Sequence, residues 1–306
     1  MAVYILVKFI KAGITLWLIL TLAFFASRVS GNAIDFIMPE GGTAEAKAAL
    51  TRYYGLDASW GTQYLAYFGK LLRGEMGTSF HFRQPVAELY AGRFPATLRL
   101  CGLSMLLSFA VAVPLGILAA IRRKAFSGFL IQAGAFLGYA VPNFVLAILL
   151  LLVFSFHFRI FPSGGSDTWR HYVMPVAALS STLIASLVRF SRSAMLDVLS
   201  QDYIRTARAK GVSEFSVISI HGLRNALITV VTVVGLQVAG LVSGAVVVES
   251  VFSWPGMGEL LVFAAIKRDY PLLQSGVVLV GSVVILINFI VDIAYAVIDP
   301  AIGKGA

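Results

Sequence analysis

The chain alternates between long uncharged apolar runs and short stretches in which charge is concentrated. The runs extend from about Gly13 to Ser27, Pro95 to Ile121, Phe129 to Phe156, Val173 to Val188, Ala226 to Val248 and Leu272 to Ile298. A helix that crosses the hydrocarbon core needs about 20 mostly apolar residues, so with their flanks these runs predict six spanning helices. Lys8 and Lys11 precede the first run like the start of a signal peptide, but Ala26-Ser27-Arg28 offers no small-residue cleavage site, and the run reads as an uncleaved span. The expected organisation is residues 1–28 as the inner N-terminus and span one, 29–94 as an extracytoplasmic helical segment, 95–298 as the core of spans two to six, and 299–306 as an inner tail.

Residues 29–94 are mixed in polarity and predict short surface helices. Thr43 is placed to cap a helix over Ala44 to Tyr54 closed by Gly55, and Ser59 to cap one over Trp60 to Arg73 closed by Gly74. Tyr64, Leu65, Phe68, Leu71 and Leu72 give the second an apolar stripe, which suits a small amphipathic cap on the membrane face. Pro95 suits the first turn of span two. Gly138, Pro142 and Asn143 interrupt span three, where a kink either improves packing or frees backbone groups for a pathway. In span five, Gly235, Gly240 and Gly244 would let a neighbouring helix approach closely.

A long polar interruption separates spans four and five, over residues 189–225, and its centre is Asp202 to Ala226. Two short helices fit it. The first covers Tyr203 to Lys210 and ends at Gly211; Ser213 caps the second, with Glu214 at its positive end. Arg205, Arg208 and Lys210 stand beside small Ala207 and Ala209, so one face can be buried while cations reach outward. That is either a docking surface or a basic loop that only holds topology.

Composition agrees with a membrane protein: 58% hydrophobic and 13% charged residues, with mean hydropathy +0.86, exceed what a water-soluble core requires. The net charge of +9 raises nucleic acid as a partner, but its distribution points elsewhere. The short loops assigned to the inside carry Arg122, Arg123, Lys124, Arg189, Arg192, Arg205, Arg208, Lys210 and Arg224, whereas the long outer segment balances Lys47, Arg52, Lys70, Arg73, Arg83 and Arg93 against Asp35, Glu40, Glu45, Asp57, Glu75 and Glu88. Basic short loops on one side place both termini in the cytoplasm.

Candidate chemistry is sparse. Cys101 lies in an apolar run, and His81, His157, His171 and His221 are scattered without metal-ligand spacing. Gly69-Lys70 is the nearest fragment to a phosphate-binding loop, but Tyr64 stands where the earlier glycine should be and Leu71 where Ser or Thr should be. Polar Asn143, Gln237, Asn288 and Asp292 lie within apolar runs and are the pathway candidates; Asp292 is near enough to the end of its run to reach the interface or pair with another helix instead. A secondary transporter would call for internal repeats and matched broken helices, and an intramembrane hydrolase for a nucleophile and base pair; neither pattern stands out.

Several motifs carry a specific resemblance. Arg205-Thr206-Ala207, Gly211 and His221-Gly222-Leu223-Arg224 follow the spacing of the coupling loop of ATP-binding-cassette importer permeases, in the wording of the peptide and nickel group. Arg205 and Thr206 replace the general motif's Glu and Ala, His221 its Ile, and Arg224 its Pro. Gly74 to Ser79, Arg83-Gln84-Pro85-Val86, Glu249 to Gly258 and Arg268-Asp269-Tyr270-Pro271 are similar to further signatures of that group. Asp299-Pro300-Ala301-Ile302 resembles its ending, without the arginine that many members place after Pro.

The resemblance implies an all-α integral membrane protein with the type I importer permease fold, in a bacterial inner membrane. It implies a subunit, like those for dipeptides, oligopeptides, glutathione or nickel, that works with a second homologous permease, two ATPase subunits and an extracytoplasmic binding protein. ATP and Mg would be handled by the ATPases, with no cofactor, metal or nucleic acid on this chain. Asp202, Tyr203, Arg205, Thr206, Ala207, Arg208, Lys210, Gly211, His221, Leu223 and Arg224 would form the ATPase coupling loop.

Overall fold

The computed structural model describes residues 2–29, 31, 34 and 43–298. Asp35, Glu40 and the 299–306 tail with its Asp-Pro ending lie outside the described residues. Regular structure among the described residues is helical, with one isolated bridge between Thr78 and Pro85. The chain divides into two compact units, one of Met1–Thr97 with Pro255–Phe289 and one of Leu98–Trp254 with Ile290–Gly305.

In the first unit, α1 (Ala2–Val29) is a single long helix whose Phe9, Ile10, Ile14, Trp17, Leu18 and Leu22 are exposed, as expected of a surface whose solvent is lipid. The surface helices α2 (Ala44–Tyr53) and α3 (Trp60–Leu72) start at Thr43 and Ser59, whose side chains accept from the amides of Ala46 and Thr62. They end ahead of Gly55 and Gly74, both at positive φ. The stripe on α3 meets α1: Tyr64 lies 5.3 Å edge-on to the buried Phe24 ring, and its hydroxyl bonds Thr21 at 2.8 Å.

The same unit contains the first turns of α4 (Val86–Ile121), then α10 (Met257–Ile266) and α11 (Tyr270–Ile298) as far as Phe289. Asp269 is its polar centre. Buried just ahead of α11, its carboxylate accepts from Ser79 Oγ, from the His81 amide at 3.0 Å and from the Leu272 amide at 3.2 Å. Around it Tyr90 Oη donates to the Leu272 carbonyl (3.0 Å), Ser275 Oγ to the Met76 carbonyl (3.1 Å), and Tyr270 Oη to the Gly31 carbonyl. The Gly-x-x-Gly-x-Ser and Arg-Asp-Tyr-Pro stretches, far apart in sequence, are therefore one hydrogen-bonded assembly.

The second unit holds the rest of α4, then α5 (Phe126–Ala140), α6 (Asn143–Leu150, carried on as π-helix over Leu151–His157), α7 (Trp169–Leu199), α8 (Asp202–Ala209) and α9. Helix α9 begins as Glu214–Ser216, widens to a π-helix over Val217–Gly222 and continues as α-helix over Leu223–Val251. Its end is locked: Trp254 is fully buried, its amide donates to the Glu249 carbonyl at 2.8 Å, and its ring stacks edge-on against Tyr172 at 4.6 Å. His171 serves its own helix, its Nδ1 accepting from the Thr168 amide at 3.1 Å.

Among the described residues, four helices are long and apolar enough to cross a membrane, within Ile5–Val29, Val86–Ile121, Trp169–Leu199 and Tyr270–Val291, and a fifth crossing is reached if the bent pair α5 and α6 counts as one. Several boundaries differ from the sequence expectation. Helix α4 starts at Val86, directly after Pro85, and takes Pro95 into its interior; the proline that pre-sets the first turn is the earlier one. The third run is not one rod, since α5 and α6 are bent by 96°. Val141 is driven to φ −87°, ψ 117° by the proline after it. Helix α7 continues past Arg189 and Arg192 to Leu199, and α10 occupies a stretch where no helix was expected.

Candidate functional site

Helix α8 is short, and eight residues of helix are marginal alone, so its bracing decides whether it forms. Ile204 and Ala207 are buried against Val217 of α9, with Val198, Leu199 and Val212 packed around them. Gly211, at φ 77°, turns the chain between the two helices, and its amide donates to the Arg208 carbonyl at 3.0 Å. Ser213 accepts from the Ser216 amide, so α9 is capped where the sequence indicates. Beyond that cap runs one continuous helix rather than a second short one, because the π-helical turn absorbs Val217–Gly222 without breaking the ladder.

Arg208 does not simply reach outward. Its guanidinium forks onto Glu214, Nε to Oε2 at 3.0 Å and Nη2 to Oε1 at 2.7 Å, strapping α8 to α9 across the Gly211 turn. The paired hydrogen bonds raise the Arg208 pKa and hold the Glu214 carboxyl below the usual range. Both groups are exposed, so the strap orients more than it stabilises. Among the described residues Arg205 pairs only with Asp202 on its own helix, at 3.3 Å with both side chains in solvent. Thr206 Oγ1 donates to the Asp202 carbonyl, and Asn225 joins the two helices by donating to Tyr203 Oη at 2.9 Å.

Of the residues singled out on this stretch, Asp202, Arg205, Thr206, Arg208, Lys210, Gly211 and Arg224 lie on the surface, with Tyr203 partly so, while Ala207 faces inward. His221 and Leu223 are half-buried in and after the π-helical turn. Sequence reasoning missed Ile204 and Val217, which fix the angle between α8 and α9, and the second role of Glu214. It also missed Phe215 and Ile220, 81% and 60% exposed beside the cations. The signal for that pair was present: large apolar residues in a polar stretch that no amphipathic period assigns to the core.

Two of the four pathway candidates come together. Asn143, at the start of α6, and Gln237 of α9 line one cavity of about 330 Å³ with Tyr139, Pro142 and Thr182. Close helix approach holds its wall, since a Cβ on Gly244 would stand 2.8 Å from Asn143 Nδ2. Gly235 is likewise packed, against Val291, whereas Gly240 opens onto the cavity. Arg189 stands over the Tyr139 ring at 5.7 Å. Asn288 is exposed on α11, in the first unit, and the side chain of Asp292 lies outside the described part of the structure.

Comparison with known proteins gives a consistent picture. Residues 112–304 match the family described as Binding-protein-dependent transport system inner membrane component. Over 300 residues, 98% of either chain, the sequence is 41% identical to the glutathione transport system permease protein GsiC of Salmonella typhimurium (strain LT2). It is 40% identical over the same share to the protein of that name in Escherichia coli (strain K12). Among solved structures, an inward-facing MetNI methionine ABC transporter chain aligns with a TM-score of 0.61 at 18% identity, covering 70% of this chain and 97% of its own. A chain of an amino acid ABC transporter crystallised with histidines aligns at 0.51 and 14%, covering 70% and 94%. At such identities the likeness is one of fold.

Proposed function

The chain belongs to the binding-protein-dependent transport system inner membrane component family, as an ATP-binding-cassette importer permease of the peptide and nickel group, and from that premise we propose that it forms half of an import pathway for glutathione or a similar short peptide. It is a multi-pass inner-membrane transport subunit, and its family is one of permeases rather than catalytic enzymes. The secondary-transporter and hydrolase readings fall with that membership.

Our reading has six spans with both termini inside, α9 supplying the sixth crossing. A helix of 29 residues over Leu223–Val251 is about 43 Å long, ample for the hydrocarbon core. The partners are a second, homologous permease, two ATPases that bind ATP and Mg, and an extracytoplasmic binding protein. The observation that carries the coupling assignment is α8 with the start of α9: Ile204 and Ala207 brace the short helix on Val217, leaving Tyr203 and Arg205 of α8, Lys210 at its end and Phe215 of α9 exposed. Such a rigid knob, part cationic and part aromatic, suits docking on an ATPase surface.

Affinity purification from the native membrane, with mass spectrometry of the proteins that accompany the chain, tests the assembly. Two ATPases, a sister permease and a ligand-loaded binding protein are expected. Recovery of the chain without any ATPase under gentle detergent, together with uptake driven by an ion gradient, would overturn the reading.

The pathway role rests on the Asn143 and Gln237 cavity. Both amides offer donors and acceptors at the bend between α5 and α6, where a peptide backbone could exchange hydrogen bonds. Asn143→Ala and Gln237→Ala are expected to lower uptake several-fold while the complex assembles in normal yield, because each removes a hydrogen-bonding group worth about 1 kcal/mol from a pre-formed wall. Normal uptake by both variants would remove the cavity from the pathway.

A further inference from the structure

A second and larger cavity, of about 720 Å³, lies within the first unit, between α1, α2, α3 and the start of α11. Its volume falls in the range that holds a small organic ligand, and its lining is charged. Arg28 comes from the end of α1, Arg52 from α2 and Lys70 from α3, against one carboxylate, Glu75. None of these cations forms an ion pair among the described residues. Arg28 is half-buried, yet its partners are neutral: its Nε donates to Gln63 Oε1 at 3.0 Å, its Nη1 to Ser27 Oγ at 3.2 Å, and its guanidinium stands 4.3 Å from the Phe24 ring centre and 4.6 Å from that of Tyr270. A half-buried guanidinium with no anion beside it among the described residues is under-compensated.

Tyr67, also in the lining, points the same way. Its hydroxyl is buried with no hydrogen-bond partner among the described residues. Burial pushes its pKa up to about 12 although the Arg28 charge pulls it down, so the hydroxyl stays protonated and able to donate. Among the described residues, a buried hydroxyl left unmatched beside a cation without a counter-charge is unusual in a finished core. Both features are accounted for together by an anionic group entering the cavity.

We propose that this cavity is a binding site for a short acidic peptide, with its carboxylates on Arg28, Arg52 and Lys70 and its ammonium group at Glu75. The assignment rests on the peptide-import reading above and deepens it: the permease itself holds the substrate on its extracytoplasmic segment, separately from the Asn143 and Gln237 cavity. Tyrosine rings in the lining, Tyr53, Tyr54 and Tyr270 among them, supply flat surface for the peptide planes. The arrangement selects for net negative charge, since three cations face one carboxylate, and charge-assisted hydrogen bonds are the stronger kind.

The test uses the assembled transporter in phosphatidylcholine nanodiscs without its binding protein, and radiolabelled glutathione as the probe. Wild type is expected to bind it, the Arg52→Gln/Lys70→Gln double variant about tenfold more weakly, and Tyr67→Phe a few-fold more weakly. Triglycinamide, which has no carboxylate, is expected not to compete. Both charged positions of the double variant are solvent-exposed, so its fold is retained. Equal affinity in the double variant, or competition by triglycinamide, overturns the proposal. Loss of glutathione binding in phosphatidylglycerol nanodiscs, with that lipid retained in native mass spectrometry by wild type and not by the double variant, overturns it in favour of a lipid headgroup. Absence of binding to wild type also overturns it. Glutathione uptake with the binding protein restored then separates the two readings: uptake without this binding removes the site alone, and no uptake removes the glutathione reading as well.

Discussion

Gly211→Pro is expected to abolish substrate-stimulated ATP hydrolysis and uptake while leaving the permease at its normal level in the membrane. Position 211 sits at φ 77°, which the proline ring, locked near −65°, cannot adopt. Proline also removes the amide that donates to the Arg208 carbonyl at the end of α8. The turn must rebuild, and the Arg208 to Glu214 strap, which spans that turn, is lost with it. Nothing in the spanning segments depends on Gly211, so insertion is spared. Gly211→Ala is the calibrating variant: an added Cβ would meet no heavy atom within 4 Å, leaving only the left-handed backbone penalty of about 1–2 kcal/mol, and partial coupling should survive. The measurement is hydrolysis by the reconstituted complex with and without loaded binding protein. A loss of tenfold or more corresponds to at least about 1.4 kcal/mol of activation free energy. Undiminished stimulation in Gly211→Pro would sink the coupling assignment.

Asp269→Ala should destabilise the permease more than any single change in the exposed loops. Removing the carboxylate strands a hydroxyl and two amides that are buried or partly buried with it, those of Ser79, His81 and Leu272. Each unmet buried donor costs about 1–3 kcal/mol, so a total of about 3–5 kcal/mol is expected after relaxation. Asp269→Asn should be milder, since one amide oxygen still accepts, while its NH2 must face a donor where Oδ1 or Oδ2 stood. Ser79→Ala should be milder again. Thermal unfolding of the detergent-solubilised protein, followed by size-exclusion fluorescence, ranks the three. An Asp269→Ala midpoint equal to wild type would mean that the Gly74 to Ser79 stretch is held by packing alone.

Much of the local structure was readable because its causes are local. Thr43, Ser59 and Ser213 cap helices within three residues of themselves, and Gly55, Gly74 and Gly211 take the positive φ that closes the helix before each. The apolar runs announced long helices for the same reason. The features that could not be read depend on partners distant in sequence or on choices between similar signals. Asp269 reads as part of a motif, yet its function in the fold is set by Ser79, 190 residues away. Pro85 and Pro95 are equally good helix starters, and the bridge between Thr78 and Pro85 together with the buried Val86 decides for the first. The Pro142 break was visible, but its 96° angle was not, since a proline fixes the residue before it and leaves the direction of the next helix to packing.

The residues we propose for coupling stand out in the sequence by their spacing, which says nothing of their contacts. Arg205, Arg208 and Lys210 look equivalent in sequence, and only the structure distinguishes Arg208, which straps two helices together, from Arg205, which pairs within its own helix.

The π-helical turn at Val217–Gly222 sets a phase as well as a path. One extra residue accommodated within a helix rotates everything beyond it by about 100° relative to an uninterrupted α-helix. The azimuth at which Gln237 faces the cavity it lines with Asn143, about four turns further on, is therefore set near the start of α9. The turn works as a torsional offset: the strip of polypeptide that we propose receives a push also determines which side of the shaft faces the cavity, and under that proposal twist as well as displacement travels along it from the Ser213 cap to Val251.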